Sequence, residues 1–130
     1  MKMKTMSLSV CLLAMMGTAK SWADTPCADA GSTMEMLQCL SGEFDKADAE
    51  LNKVYFQKKA IFQNETDPAI RKELNSRLQK AQRAWIGFRD AECLLQSMDN
   101  LGGSLERVEN LGCRVEMTKE RVQVLKNVSN

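Results

Sequence analysis

Histidine is absent from this 130-residue chain, which removes the commonest general base and metal ligand near neutral pH. Serine, lysine and acidic residues are plentiful, but none stands in a nucleophile-elbow or phosphate-loop setting. Asp45, Asp48 and Glu50 read as a solvated helix face rather than a catalytic pair. No C-x-x-C spacing occurs, so four cysteines without histidine argue against a zinc site. Few stretches alternate with period two, and none is bounded by strand-like turns. There is no internal repeat, low-complexity tract or domain linker. No basic surplus exists that would suit nucleic acid. The expectation is a binding protein, not an enzyme, with no cofactor and no metal.

Long apolar runs are also missing. The longest lies at Met6 to Gly17, about a dozen residues where a membrane span needs roughly 20. It follows Lys2 and Lys4 and precedes Ser21-Trp22-Ala23. That order of positive, apolar and small residues is a secretory signal, with cleavage expected after Ala23. Residues 1–23 are therefore read as a signal peptide and 24–130 as one helical domain, periplasmic or secreted in an envelope of Gram-negative type. Leu8-Ser9-Val10-Cys11 faintly resembles a lipoprotein signal. Bulky Val10 and the short apolar stretch before it argue against acylation of Cys11. Cleavage removes three of the 18 basic residues and none of the 17 acids, so the net charge moves from +1 to −2.

Four cysteines remain: Cys27, Cys39, Cys93 and Cys113. In an exported domain of this size they read as two disulfides, each worth about 2–4 kcal/mol. Sequence alone leaves the three possible pairings open. Cys27–Cys39 with Cys93–Cys113 is slightly favoured, because neighbours along the chain meet most easily. Cys39–Cys93 with Cys27–Cys113 is the alternative, should the first two helices form an antiparallel hairpin.

Helical signals fill the remaining chain, and an all-α bundle of about three helices is expected. Ser32-Thr33-Met34-Glu35 reads as a capping box. Leu37, Leu40, Phe44, Ala47, Leu51, Val54 and Ile61 then form one apolar stripe, with Lys58 completing its spacing. Asn64 to Pro68 ends that helix, and Asp67-Pro68 suits the start of the next. The second helix carries Ile70, Leu74, Leu78, Ala81, Trp85 and Phe88 on one side and is expected to run to about Met98. Asp99 to Ser104 is the clearest loop. A third helix is expected from about Leu105 to Lys126, with Val108, Leu111, Val115, Val122 and Leu125 inward and an interruption at Gly112.

Gln82, Trp85, Arg89 and Cys93 share one ridge of the second helix. Tryptophan and arginine are frequent hot spots at interfaces, so the ridge is one candidate surface. The favoured reading is structural: Trp85 anchors the core, and Arg89 pairs with a carboxylate or caps a carbonyl.

The segment Gln82-Arg83-x-Trp85-Ile86-x-Phe88-Arg89-Asp90-x-x-Cys93 is the most distinctive in the chain. Together with Cys27, Cys39, Ala49-Glu50-Leu51-Asn52-x-x-Tyr55, Gly102-Gly103-Ser104, Cys113 and Thr118-x-x-Arg121, it resembles the LprI-type lysozyme-inhibitor family, a four-cysteine helical family. The likeness covers nearly all of residues 24–130. It implies an exported, disulfide-bonded helical protein that binds a lysozyme-like peptidoglycan hydrolase. An envelope adaptor or immunity protein with another partner is the alternative. The shared motif, Gln82, Arg83, Trp85, Arg89 and Asp90 included, looks architectural and supplies no inhibitory residue. Lysozyme works through two carboxylates in a cleft, which a loop carrying hydrogen-bond donors would block. The candidate partner-binding loop runs from Ser97 to Arg107 and offers Gly102 and Gly103 for close approach, the Ser104 hydroxyl and the Arg107 charge. The competing reading is a plain turn between helices. Arg83, Arg89 and Arg114 are reserve candidates for a partner on a helix face.

Overall fold

The computed structural model describes residues 27–128; the proposed signal peptide, its cleavage position and Cys11 lie outside them. Three helices follow in order: α1 (Thr33–Gln63), α2 (Pro68–Gln96) and α3 (Glu106–Asn127), with a 3₁₀ turn at Met98–Asn100. The fold is an all-α bundle of three helices, held by two disulfides.

Local chemistry sets the helix ends. The Ser32 hydroxyl accepts from the Glu35 amide at 3.2 Å. The Glu35 carboxylate reaches back one residue further than a standard capping box, accepting from Gly31 N–H at 2.8 Å. Asp67 accepts from Ala69 and Ile70 at the start of α2, with Pro68 as its first residue. There a missing N–H costs nothing.

The core combines Leu51, Val54 and Phe62 of α1, Leu78 of α2, and Val122 and Leu125 of α3, with Tyr55, Leu74 and Trp85 packed against it. α3 lies chiefly along α1 and secondarily on α2, while α1 and α2 touch each other least. Ion pairs Glu43–Lys119 at 3.2 Å and Glu50–Lys126 at 3.1 Å add to the α1–α3 seam.

Several expectations from periodicity need correction. Ile61 is half exposed, and Phe62 is buried in its place. Near the turn into α2 the inward direction rotates towards that helix, so Phe62 meets Leu78. On α2, Ile70, Ala81 and Phe88 face solvent, Phe88 with 57% of its surface exposed. Gln82 and Arg89 take the inward positions. α2 ends at Gln96, short of Met98, and α3 runs through Gly112 without interruption. Lys58 is buried, as its place in the stripe requires, and its ammonium donates to the Val128 carbonyl at 2.6 Å.

Candidate functional site

The motif of α2 builds a stack of cations and rings through the bundle. Arg121 lies 5.5 Å from the Trp85 ring, and Arg89 lies 5.2 Å from the same ring and 5.3 Å from Phe44. Arg114 lies 4.7 Å from Phe44. All three helices contribute, and three arginines alternate with two aromatic faces. Buried contacts of this kind are each worth about 1–2 kcal/mol.

Polar partners hold each guanidinium in place. Arg89 donates to Asp90 from Nε at 2.9 Å and to the Thr118 hydroxyl from Nη1 at 3.3 Å. Its Nη2 is 2.8 Å from the same Asp90 oxygen. Thr118, with no exposed surface, donates in turn to the Arg114 carbonyl at 2.6 Å. Arg114 forms an ion pair with Asp90 at 3.3 Å, although its Nε has no hydrogen-bond partner of good geometry. Arg121 donates to Gln82 Oε1 at 3.1 Å. Burial pulls the Arg121 guanidinium below its usual value, yet an arginine stays charged at any physiological pH. The motif residues Gln82, Trp85, Arg89 and Asp90 thus form an internal brace. Arg83 points to solvent on the outer side of α2.

One end of this brace is fixed covalently. Cys93 on α2 is bonded to Cys113 on α3, with Cα atoms 5.5 Å apart. Met117 places its sulfur 3.6 Å and 3.8 Å from the two disulfide sulfurs. The second disulfide joins Cys27 in the lead-in to Cys39 on α1, 12 residues on. Of the pairings left open by the sequence, the structure has the one between chain neighbours.

The candidate loop leaves the Cys93–Cys113 end. Ser97 does not belong to its surface: it is wholly buried, and its hydroxyl donates to the Leu94 carbonyl as α2 ends. The remainder is exposed and internally bonded. Gly102 has φ +75°, a conformation that favours glycine. Its N–H donates to the Glu106 carboxylate at 2.7 Å, and Asn100 donates to Glu109 at 2.7 Å. At Gly103 a Cβ would come within 3.0 Å of the Asn100 carbonyl oxygen. Both glycines are thus required by the turn itself. Ser104 and Arg107 are solvent-facing. Arg107 borders an open groove of about 350 Å³, lined also by Leu37, Leu94, Glu106, Asn110, Leu111 and Arg114. The structure therefore brings Arg107 and the reserve candidate Arg114 to one groove.

A family model described as "Lysozyme inhibitor LprI" matches residues 24–125. The chain belongs to the LprI family. An uncharacterised protein of Rhizobium meliloti (strain 1021) is 38% identical over 120 residues, covering 85% of this chain and 86% of that relative. Uncharacterised protein YecT of Escherichia coli (strain K12) is 31% identical over 99 residues, 71% of this chain and 61% of its own length. No solved structure matches. LprI membership accords with the disulfide-bonded helical scaffold. It is described as an inhibitor family, which points to a protein partner rather than to catalysis. No helix among the described residues is long and apolar enough to cross a membrane.

Phe44 and Asn110 were not marked as site residues by the sequence reading. By spacing alone Phe44 is one more apolar stripe position. One signal was present: Arg114, Thr118 and Arg121 recur at helical spacing on a face of α3 that is otherwise apolar.

Proposed function

We propose that residues 24–130, released from an export signal at 1–23, act in the periplasm or outside the cell as an inhibitor of a lysozyme-like peptidoglycan hydrolase. The observation that carries this reading is the LprI match across residues 24–125. The two disulfides fit an oxidising compartment.

The contact surface is the loop from Gly102 to Arg107 together with the groove beside it. Its backbone is already bonded to Glu106 at Gly102, and the Asn100 side chain just before it to Glu109, so little ordering entropy is lost on binding. Because the Gly102 N–H is taken by Glu106, the side-chain donors the loop offers a carboxylate are the Ser104 hydroxyl and the Arg107 guanidinium. Leu101, 79% exposed, is the apolar anchor at the tip. A cleft that works through two carboxylates is blocked when those donors occupy it.

Lysis of peptidoglycan is to be followed with several lysozyme types and a large excess of the purified, oxidised protein. Inhibition is expected with at least one type. Unchanged lysis with all of them sinks the proposal. Substituting Gly102 to Ser104 and Arg107 should abolish inhibition while helicity persists; retained inhibition would reject the loop. Mass spectrometry of the exported protein should find Asp24 at its N-terminus.

A further inference from the structure

A second apolar seam runs down the solvent side of α2 and into the 3₁₀ turn that follows it. Ala81, Ala84, Phe88, Ala91, Leu95 and Met98 recur at alternating spacings of three and four. All six are exposed, Phe88 by 57%, Leu95 by 60% and Met98 by 58%. The inward face of α2 is a different one, made by Leu78, Gln82, Arg89 and Cys93. A strict alternation of this kind is the narrow stripe of a helix that pairs with one other helix, not the broad face of a helix on a core. Upstream the same register passes through Arg77 and then Leu74, which packs against the core, so the exposed seam begins at Ala81.

We infer that this seam pairs with α2 of a second copy, antiparallel, to give a two-fold dimer. Side-chain size is the first argument. In an antiparallel pair centred on Ile86, Phe88 of each copy lies opposite Ala84 of the other, and Ala81 lies opposite Ala91. Each large ring meets a small residue, so the seam is complementary to itself. Charge is the second. The first half of α2 carries Arg71, Lys72, Arg77, Lys80 and Arg83 against Glu73 alone. Beyond Phe88, Asp90 is neutralised by buried Arg89 and by Arg114, which leaves Glu92 and Asp99 as the charges of that half.

That polarity runs against the helix dipole, which favours acids at the N-terminus and bases at the C-terminus. The first turn of α2 has no acid and the last no base. Antiparallel pairing sets the basic half of each copy beside the acidic half of the other. An anionic lipid surface would be repelled by that acidic half. Area sets the strength. Centred on Ile86, the two copies of α2 overlap over residues 76–96, about 32 Å, and a strip about 12 Å wide gives about 380 Å² per copy and about 760 Å² in all. That is the size of a weak, transient contact, so a reversible dimer is expected.

Sedimentation velocity of the purified, oxidised protein should show a monomer–dimer equilibrium that shifts with concentration. Phe88→Glu, present twice in each dimer, should weaken it by about a hundredfold, with the helical circular dichroism retained. Ala84→Phe alone sets ring against ring, and Phe88→Ala alone leaves a gap, so each single change should weaken the dimer. The two together exchange large and small and should restore it. A monomer at every concentration overturns the inference, as does a double variant no tighter than the singles. A monomer whose Phe88→Glu form loses muramidase inhibition or lipid-vesicle binding assigns the seam to that occupant instead, and overturns it equally.

Discussion

Replacing Arg89 tests whether the stack of arginines and rings carries the fold. Arg89 is 4% exposed, and its guanidinium touches two rings. Losing both contacts costs about 2 kcal/mol. The bonds to Asp90 and Thr118 add about 1.5 kcal/mol, discounted because the Asp90 side chain is 46% exposed. Unburying the aliphatic stem adds about 1.5 kcal/mol. Rotamer entropy that Arg89 no longer surrenders offsets about 1.5–2 kcal/mol of this. Arg89→Ala should therefore destabilise the protein by about 3 kcal/mol. Arg89→Lys, which keeps stem and charge but loses the fork, should cost about half as much. Urea unfolding monitored by fluorescence is a direct assay. In a protein prepared without residues 1–23, Trp85 is the sole tryptophan and sits within the stack. Its emission should shift in folded Arg89→Ala. A loss below about 1 kcal/mol with Trp85 emission unchanged would refute the brace.

Other expectations follow from the same geometry. Replacing Cys93 and Cys113 by serine opens a loop of 20 residues and should cost about 3 kcal/mol, read as a lowered denaturant midpoint. Lys46 and then Lys119 hold the Glu43 carboxyl below its ordinary 4.5, and Lys126 and then Lys53 do the same for Glu50. Because both folded values are lowered, their stabilisation is complete above about pH 4.5 and is lost as pH falls through those values. Glu43→Gln with Glu50→Gln should flatten the acid limb of a melting-temperature profile and leave its neutral limb nearly level. Gly102→Ala places a side chain at φ +75° and should cost about 1 kcal/mol by thermal unfolding.

Helix number, most helix boundaries and most of α1 were legible because apolar spacing and end caps state them directly. Val54, Lys58 and Phe62 show where legibility stops: the stripe includes Lys58, but only the packed neighbour reveals that Phe62 replaces Ile61. On α2 the apolar pattern chose Phe88 over Arg89. A guanidinium is costly to bury alone, but two rings, a hydroxyl and a carboxylate repay that cost here. Those partners come from three helices, so no local window displays them. Ser97 was misread for a related reason. A serine in a loop sequence looks exposed until the chain folds the end of α2 over it. Gly102 and Gly103 were recognisable as a turn, but the carboxylate occupying the Gly102 amide was not.

Among the described residues the first cysteine is bonded to the second and the third to the fourth. A chain that emerges N-terminus first into an oxidising compartment would therefore meet its correct partners in order. Cys27 can close with Cys39 before Cys93 has appeared, and Cys93 then has only Cys113 left to find. Oxidation by a simple thiol oxidase suffices for such a connectivity, and reshuffling by an isomerase is not required. Cells lacking periplasmic isomerase activity but retaining the oxidase should still accumulate the native form.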